Sequence, residues 1–393
     1  MKVLVISHMY PSTFSEVSGI FVHEQVKALV GKGLEVRVIS PVPWTPFPIN
    51  HLSPKWKAYS RVPLYAVQEG IPVFHPRYIA LPRALFFASS GDRMYRGIRN
   101  LVSELYRGFP FDLIHAHEVL PDGYAGLLLS KKFNCPLVVT LHGSPDIYKA
   151  AQLSTNRRRK VLQTLREADA VIAVSSHLKR AAEEWYLCGS KIRVVNNGFS
   201  LSKVGPRKPP LSSKMIFLLT VGNLVERKGH RYLLLALSQL AKKYREVKLL
   251  IVGDGPERSR LAELINRLDL QNRVDLLGVI RGEKLAELYA LCDVFVLPSW
   301  EEAFGIVYLE AMANGKPVIG CFGEGIEDFV EHKRTGWLVK PRDVDSLVEA
   351  LDYLLSNPQE ARAIGERARQ VALQYTWERN AERTIEVYKE VLR

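Results

Sequence analysis

Residues 293–321 read DVFVLPSWEEAFGIVYLEAMANGKPVIGC. The apolar run Val294 to Leu297 stops at Pro298. An acidic loop containing Gly305 then leads into a helix-period stretch closed by Asn314-Gly315, and Lys316-Pro317 opens a second apolar run. The segment predicts strand, loop, helix, strand. In such an α/β unit the loop lies at the carboxyl end of the strand, where open parallel sheets bind ligands. The N–H groups of Phe304, Gly305 and Ile306 would then face outward from the helix start, a position suited to phosphate. Glu302 and Glu310 flank that start. Eight steps of about 100° leave them roughly 80° apart around the helix, so both can border one pocket. For two isolated glutamates the commoner explanation is a first-turn acid and a solvated surface residue.

The whole string decides between these readings, because E-E-A-F-G-I-V-Y-L-E-A-M-A-N-G-K-P-V-I resembles the E-x7-E signature of the retaining GT-B glycosyltransferases, family 4 in particular. The resemblance implies that Glu302 touches the donor sugar and Glu310 holds the nucleotide ribose. It further implies that the backbone from Ala303 through Phe304 and Gly305 to Ile306 lies along the diphosphate.

Upstream, MIFLLTVG is a strand, NLVERKG a loop and HRYLLLALSQLAKKY a helix. Arg227 and Lys228 thus stand just before a helix amino terminus, where two cations and the helix dipole converge on one anion. The string V-G-x-L-x-x-R-K-G, which includes Gly222, resembles the family's donor diphosphate clamp. Gly253-Asp254-Gly255-Pro256 is turn chemistry at a strand end; in the family it lies near the nucleotide, which makes Gly253 a further donor-side candidate.

With 393 residues the chain suits two domains. At 47% hydrophobic and 24% charged residues it is an ordinary globular protein. The segment SLSKVGPRKPPLSSK reads as the linker. It separates residues 1–203 from 204–375, with a terminal helix at about 376–393 that in the resembled family crosses back onto the first domain. The four cysteines, Cys135, Cys188, Cys292 and Cys321, show no C-x-x-C spacing, so neither disulfides nor a zinc site is expected. The amino terminus holds only a short apolar run and no segment reaches 18 apolar residues. A cytoplasmic protein is expected, peripheral at most on the cytoplasmic face of a membrane.

The net charge of +13 is unevenly placed: residues 1–203 carry 26 Lys and Arg against 14 Asp and Glu, and the remainder is nearly balanced. Such a half suits nucleic acid, anionic lipid or an anionic substrate. No helix-turn-helix, zinc finger or RNP string is present, which excludes nucleic acid as the expected partner and leaves a lipid surface or anionic acceptor.

The first half opens as a βαβ unit, with strands Lys2–Ser7 and Glu35–Ile39 around a helix at Phe21–Val30. No dinucleotide G-x-G-x-x-G is present. Where the resembled family has a glycine pair, this chain has Ser18-Gly19, leaving Gly19 for close approach to substrate or simply for the helix start. Residues 41–76 hold eight prolines among Trp44, Phe47, Trp56, Tyr59, Lys55, Lys57 and Arg61. They read as one long acceptor- or membrane-facing loop. A basic helix is expected at Arg93–Arg107. The strand Leu137–Leu141 ends in His142-Gly143, and T-L-H-G-S resembles the family string whose histidine lies by the donor sugar; His8, at the end of the first strand, is a weaker candidate. Asp343-Val344-Asp345 matches a metal-binding D-x-D by letter, but its place before SLVEALDYLL makes it a helix cap.

Together these readings imply an α/β GT-B protein, two Rossmann-like domains facing across a cleft. The implied activity is retaining transfer from a UDP- or GDP-sugar to a saccharide or lipid-linked acceptor for surface polysaccharide, with no metal or other cofactor. A sugar-nucleotide epimerase or hydrolase, or a non-catalytic nucleotide-sugar-binding subunit, would use the same donor residues.

Overall fold

The computed structural model describes residues 1–15, 18–81, 85–186, 191–201, 204–205 and 215–393. They divide into two units, Met1–Gly198 with Trp377–Arg393, and Phe199–Thr376. The division falls at 198/199 rather than 203/204, because Phe199 is buried and its N–H donates to Tyr375 O at 3.0 Å. Most of the linker read at 200–214, and Cys188, lie outside the described residues. Cys135, Cys292 and Cys321 are free thiols.

The first unit begins β1 (Lys2–Ile6), α1 (Ile20–Gly31), β2 (Glu35–Ile39), β3 (Val42–Pro43), α2 (Pro54–Arg61), β4 (Tyr65–Gln68), β5 (Ile71–Phe74) and β6 (Arg77–Tyr78). It continues α3 (Ser90–Gly108), β7 (Leu113–His117), α4 (Tyr124–Phe133), β8 (Leu137–Leu141), α5 (Pro145–Tyr148), α6 (Thr155–Glu167), β9 (Ala170–Ala173), α7 (Ser176–Tyr186) and β10 (Ile192–Val194). The sheet runs β10-β9-β8-β7-β1-β2-β5-β4, parallel except for the edge strand β4. LIHAH, LVVTL and AVIA are buried along their whole length, as strands covered on both faces require.

The long loop expected at 41–76 is not a loop. Ser53 accepts from Trp56 N and Pro54 supplies the first helical position, so the prolines start α2 instead of excluding it. Glu69-Gly70, both at positive φ, turn β4 into β5 and extend the sheet. The basic run Arg157-Arg158-Arg159-Lys160 lies in the first turns of α6, where Arg157 pairs with buried Asp146 at 2.6 Å and Lys160 with Asp92.

The second unit is β11 (Ile216–Val221), α8 (His230–Leu240), β12 (Val247–Val252), α9 (Arg258–Arg267), β13 (Val274–Gly278), α10 (Gly282–Leu291) and β14 (Val294–Val296). There follow α11 (Ile306–Ala313), β15 (Val318–Cys321), β16 (Trp337–Val339), α12 (Val344–Ser356) and α13 (Pro358–Ala372). Its sheet is parallel in the order β13-β12-β11-β14-β15-β16. The residues at 294–321 take up the strand, loop, helix, strand read from them. Leu218, Leu249, Val296 and Ile319 on the strands and Leu233, Leu237, Leu347 and Leu351 on the helices share one core. Asp343 caps α12 by accepting from Ser346 N at 2.9 Å.

The last helix, α14 (Trp377–Val391), belongs to the first unit. Gln25 donates to Asn380 at 2.7 Å, Asn380 donates to Asn196 O at 2.8 Å, and the Tyr388 hydroxyl meets His115 Nδ1 at 2.6 Å. No helix among the described residues is long and apolar enough to cross a membrane.

Candidate active site

In the second unit the chain leaves β11 toward β12 on one side and later places β14 on the other, so the loops after β11 and β14 diverge at a topological switch point. Arg227 and Lys228 lie on the first loop, in a single turn at Glu226–Lys228 before α8. The second loop, Pro298–Gly305, is stitched to it: Trp300 N donates to Arg227 O at 2.9 Å and Arg227 Nη1 donates to Glu301 O at 3.0 Å. Lys228 Nζ donates to the Glu302 carboxylate, both side chains being nearly buried. Burial alone would raise the Glu302 pKa. The Lys228 ammonium, with Arg227 behind it, outweighs burial and holds the carboxyl below its ordinary value. The pair is therefore an ion pair at neutral pH, two positive groups converging on one carboxylate.

Gly305, in the left-handed region at φ 87°, hands the chain to α11 at Ile306. The Phe304 side chain is core, against Phe329 and Tyr375, so Phe304 can meet a ligand only through its backbone. Glu310 sits one turn inside α11, half-buried, and accepts from the Tyr289 hydroxyl at 2.7 Å. Gly222 and Gly253 follow β11 and β12 directly. A Cβ on Gly253 would come within 1.9 Å of Gly222 O, so packing of these two turns requires that glycine whatever else it does. A Cβ on Gly222 would meet the Lys228 side chain at 3.8 Å, an ordinary contact, so packing does not itself require glycine there.

The first unit has its own switch point between β1 and β7, and polar side chains gather there. His142, after β8, stacks on His117 with Nε2 2.9 Å from His117 Nδ1, and its Nδ1 meets no partner among the described residues. Burial, with His115 nearby, pushes its pKa down to about 3, so the ring is neutral. His8 pairs with fully buried Asp122 at 2.5 Å; burial works against its charge, but Asp122 prevails and raises it. Glu118, buried and at φ 81°, accepts from His142 N at 3.1 Å, and burial pushes its carboxyl up to about 7. Gly19 starts α1, and a Cβ there would lie 1.9 Å from Met9 O; the loop's own path requires glycine.

Sequence reasoning missed Glu324, Tyr289, Glu118 and Asp122. Glu118 had a legible signal, an acid directly after a buried five-residue strand. Glu324 had none, because its partners are 22 and 23 residues away: its carboxylate accepts from Glu302 N at 2.7 Å and Glu301 N at 3.0 Å.

Residues 18–203 match the family model Glycosyltransferase Family 4, and residues 205–371 match Glycosyl transferases group 1. The chain is 30% identical over 363 residues to the Bacillus subtilis (strain 168) protein that carries the name teichuronic acid biosynthesis glycosyltransferase TuaC, over 89% of this chain and 88% of that one. It is 30% identical to N-acetyl-alpha-D-glucosaminyl L-malate synthase of Bacillus anthracis over 72% and 75% of the two chains. Among solved structures, sucrose-phosphate synthase from Thermosynechococcus elongatus superposes with a TM-score of 0.82 at 24% identity, covering 99% of this chain and 98% of that one. Anabaena HepE, solved with UDP and glucose, gives 0.75 at 22% identity over 99% and 100%. These likenesses show the α/β GT-B fold.

Proposed function

This chain belongs to the family 4 glycosyltransferases, and on that footing we propose that it moves a sugar, with retention, from a UDP- or GDP-sugar to a hydroxyl of a saccharide or lipid-linked acceptor in surface-polysaccharide synthesis. The observation that carries the donor half is the Arg227, Lys228 and Glu302 cluster at the switch point beside the start of α11. The diphosphate sits against Arg227, Lys228 and the N–H groups at Gly305 and Ile306, the ribose hydroxyls on Glu310, and a sugar hydroxyl on Glu302. As the bond from the anomeric carbon to the diphosphate breaks, its electron pair stays with the phosphate oxygen, where the two cations stabilise the growing charge. The acceptor oxygen bonds the same face of the carbon and its proton passes to the departing diphosphate. His142 serves as a neutral hydrogen-bonding group at the sugar, with His117 fixing its ring.

The test is a thermal-shift panel of UDP, GDP and ADP, alone and sugar-linked, with EDTA throughout. One nucleotide series should raise the melting temperature, since a ligand stabilises the state it binds. Glu310→Ala should weaken that nucleotide by about 10- to 100-fold, the worth of one or two hydrogen bonds to a charged group. Equal binding to variant and wild type would remove the ribose role.

The acceptor half rests on an exposed apolar and basic ridge in the first unit. Trp44 N donates to Tyr78 O, beside exposed Ile79; Arg93 donates to Ile79 O and Phe86 O; Thr45 donates to Trp56 O on α2, which carries Lys55, Lys57 and Arg61. Phe47 and Phe86 are 80% and 76% exposed. Aromatic tips among cations suit an anionic lipid interface, which is where a lipid-linked acceptor would be met. Phosphatidylglycerol vesicles should pellet the protein in a salt-sensitive way, and Phe47→Ser with Trp44→Ser should weaken this by about tenfold or more. Equal pelleting with phosphatidylcholine vesicles would count against the membrane surface.

A further inference from the structure

Glu324 lies on the loop after β15, 8% exposed, and no part of the donor reading uses it. Its two carboxylate oxygens are divided between two successive peptide N–H groups, Oε1 on Glu301 at 3.0 Å and Oε2 on Glu302 at 2.7 Å. Gly325 N returns a bond to Glu302 O at 3.0 Å, so this segment grips the Glu302 backbone at both its N–H and its carbonyl. A further constraint comes from Gly325 itself, where a Cβ would fall 2.1 Å from Ala303 O; the two loops are in backbone contact with no slack. The Glu302 side chain is thereby aimed at Lys228 from a fixed backbone, while Glu301, which Arg227 holds through its carbonyl, is fixed by the same carboxylate.

We propose that Glu324 is the positioning residue of the donor loop, its carboxylate clamping the N–H groups of Glu301 and Glu302 so that Glu302 and Lys228 are held in register for the donor sugar and diphosphate. The proposal rests on the donor reading of Arg227, Lys228 and Glu302. The clamp places a third carboxyl beside Glu301 and Glu302, with Cys321 and the Tyr308 hydroxyl also facing it, while Lys228 bonds the Glu302 carboxylate and Arg227 the Glu301 carbonyl. Burial, partly offset by the two N–H bonds and reinforced by Glu302 and Glu301, pushes Glu324 up to about 7. Only the carboxylate offers an acceptor to both amides at once; the protonated acid turns one oxygen into a donor and releases one of them. Donor turnover therefore rises with pH through about 7. Stability moves the other way. Because the folded state holds this proton more tightly than the unfolded chain, the fold loses stability as pH rises from the ordinary 4.5 through about 7.

The test compares wild type with Glu324→Gln and Glu324→Ala, the former to guard against a folding defect in the latter. Amide hydrogen exchange over residues 299–305 in free protein should speed up in both variants. With UDP-glucose, GDP-mannose and ADP-glucose as donors, kcat should fall on the order of 10- to 100-fold with the donor the wild type uses, as loosened positioning of a reacting group does. The kcat effect should exceed the effect on binding of the free nucleotide, because Glu310, which is assigned to the ribose, is untouched while Lys228 and the 299–305 backbone are loosened. The rise in rate near pH 7 should vanish in Glu324→Gln, and its melting temperature should gain on wild type from pH 5 to pH 8. Unchanged exchange at 299–305, or faster exchange with kcat within threefold of wild type, would overturn the positioning role. A wild-type protein that binds and turns over none of the three donors would defeat the donor reading itself, and the clamp's function with it.

Discussion

Lys228→Ala lowers kcat/KM for sugar transfer by roughly 100- to 1,000-fold, the loss seen when one preorganised group facing developing charge is removed. Two consequences of one side chain combine here. The ammonium is one of the two cations that face the diphosphate in the proposed site, and it is also the main reason that Glu302 is ionised while nearly buried. Without it, burial is opposed only weakly, by more distant Arg227 and the Ser299 hydroxyl, and leaving a charge unpaired costs about 3–5 kcal/mol. The sign with pH follows. In wild type the depressed Glu302 pKa contributes stability above the ordinary carboxyl range that is lost as pH falls through the folded value; in the variant the Glu302 pKa rises, so stability falls as pH increases. Urea denaturation at pH 5 and pH 8 reads this directly. Lys228→Ala with Glu302→Gln should regain much of the stability at pH 8 and none of the activity, which separates the structural role from the chemical one. Activity of Lys228→Ala within threefold of wild type would remove the residue from the diphosphate site.

Tyr388→Ala costs about 3–5 kcal/mol of stability in the first unit, the range for truncating a fully buried aromatic. The ring is 0% exposed, in the core with Val3, Val26 and Val138, and its hydroxyl is the partner of His115 Nδ1. Tyr388→Phe keeps the packing and orphans one nitrogen of a buried neutral histidine, so it should cost less, about 1–3 kcal/mol. The comparison tests whether α14, the last helix in the chain, is an integral part of the first unit. A Tyr388→Ala protein with an unchanged urea midpoint would show that α14 contributes little to that fold.

The two switch points explain much of what the primary structure could not show. His8 lies more than a hundred residues before Glu118 and His142, and only the pairing of β1, β7 and β8 brings their strand ends side by side. His142 was singled out by the string T-L-H-G-S, which resembles the family's; a histidine that ends an apolar run before a glycine is by itself more often structural. Asp122 was not: it lies in a turn after β7, and nothing in VLPDG says that its carboxylate reaches back across the sheet to His8. The misreading of 41–76 has a different cause. Eight prolines argue against regular structure only while their positions are ignored, and here Pro54 sits at a helix start and Pro72 in a strand, β5, that pairs with β4 and β2.

The linear order of residues determined the alternation of strand and helix in both halves, the places of Arg227-Lys228 before one helix and of Glu302 and Glu310 about the start of another, and the capping role of Asp343. Each of these is local, set by hydrophobic period, by a turn residue or by a short string a few residues long. Tertiary structure alone decided that Lys228 and Glu302, 74 positions apart, share a charge, that Glu324 holds the backbone beneath them, and that Tyr388 completes the first core. Such pairings depend on which loops leave neighbouring parallel strands, and parallel strands become neighbours only through crossovers whose destination no local pattern records.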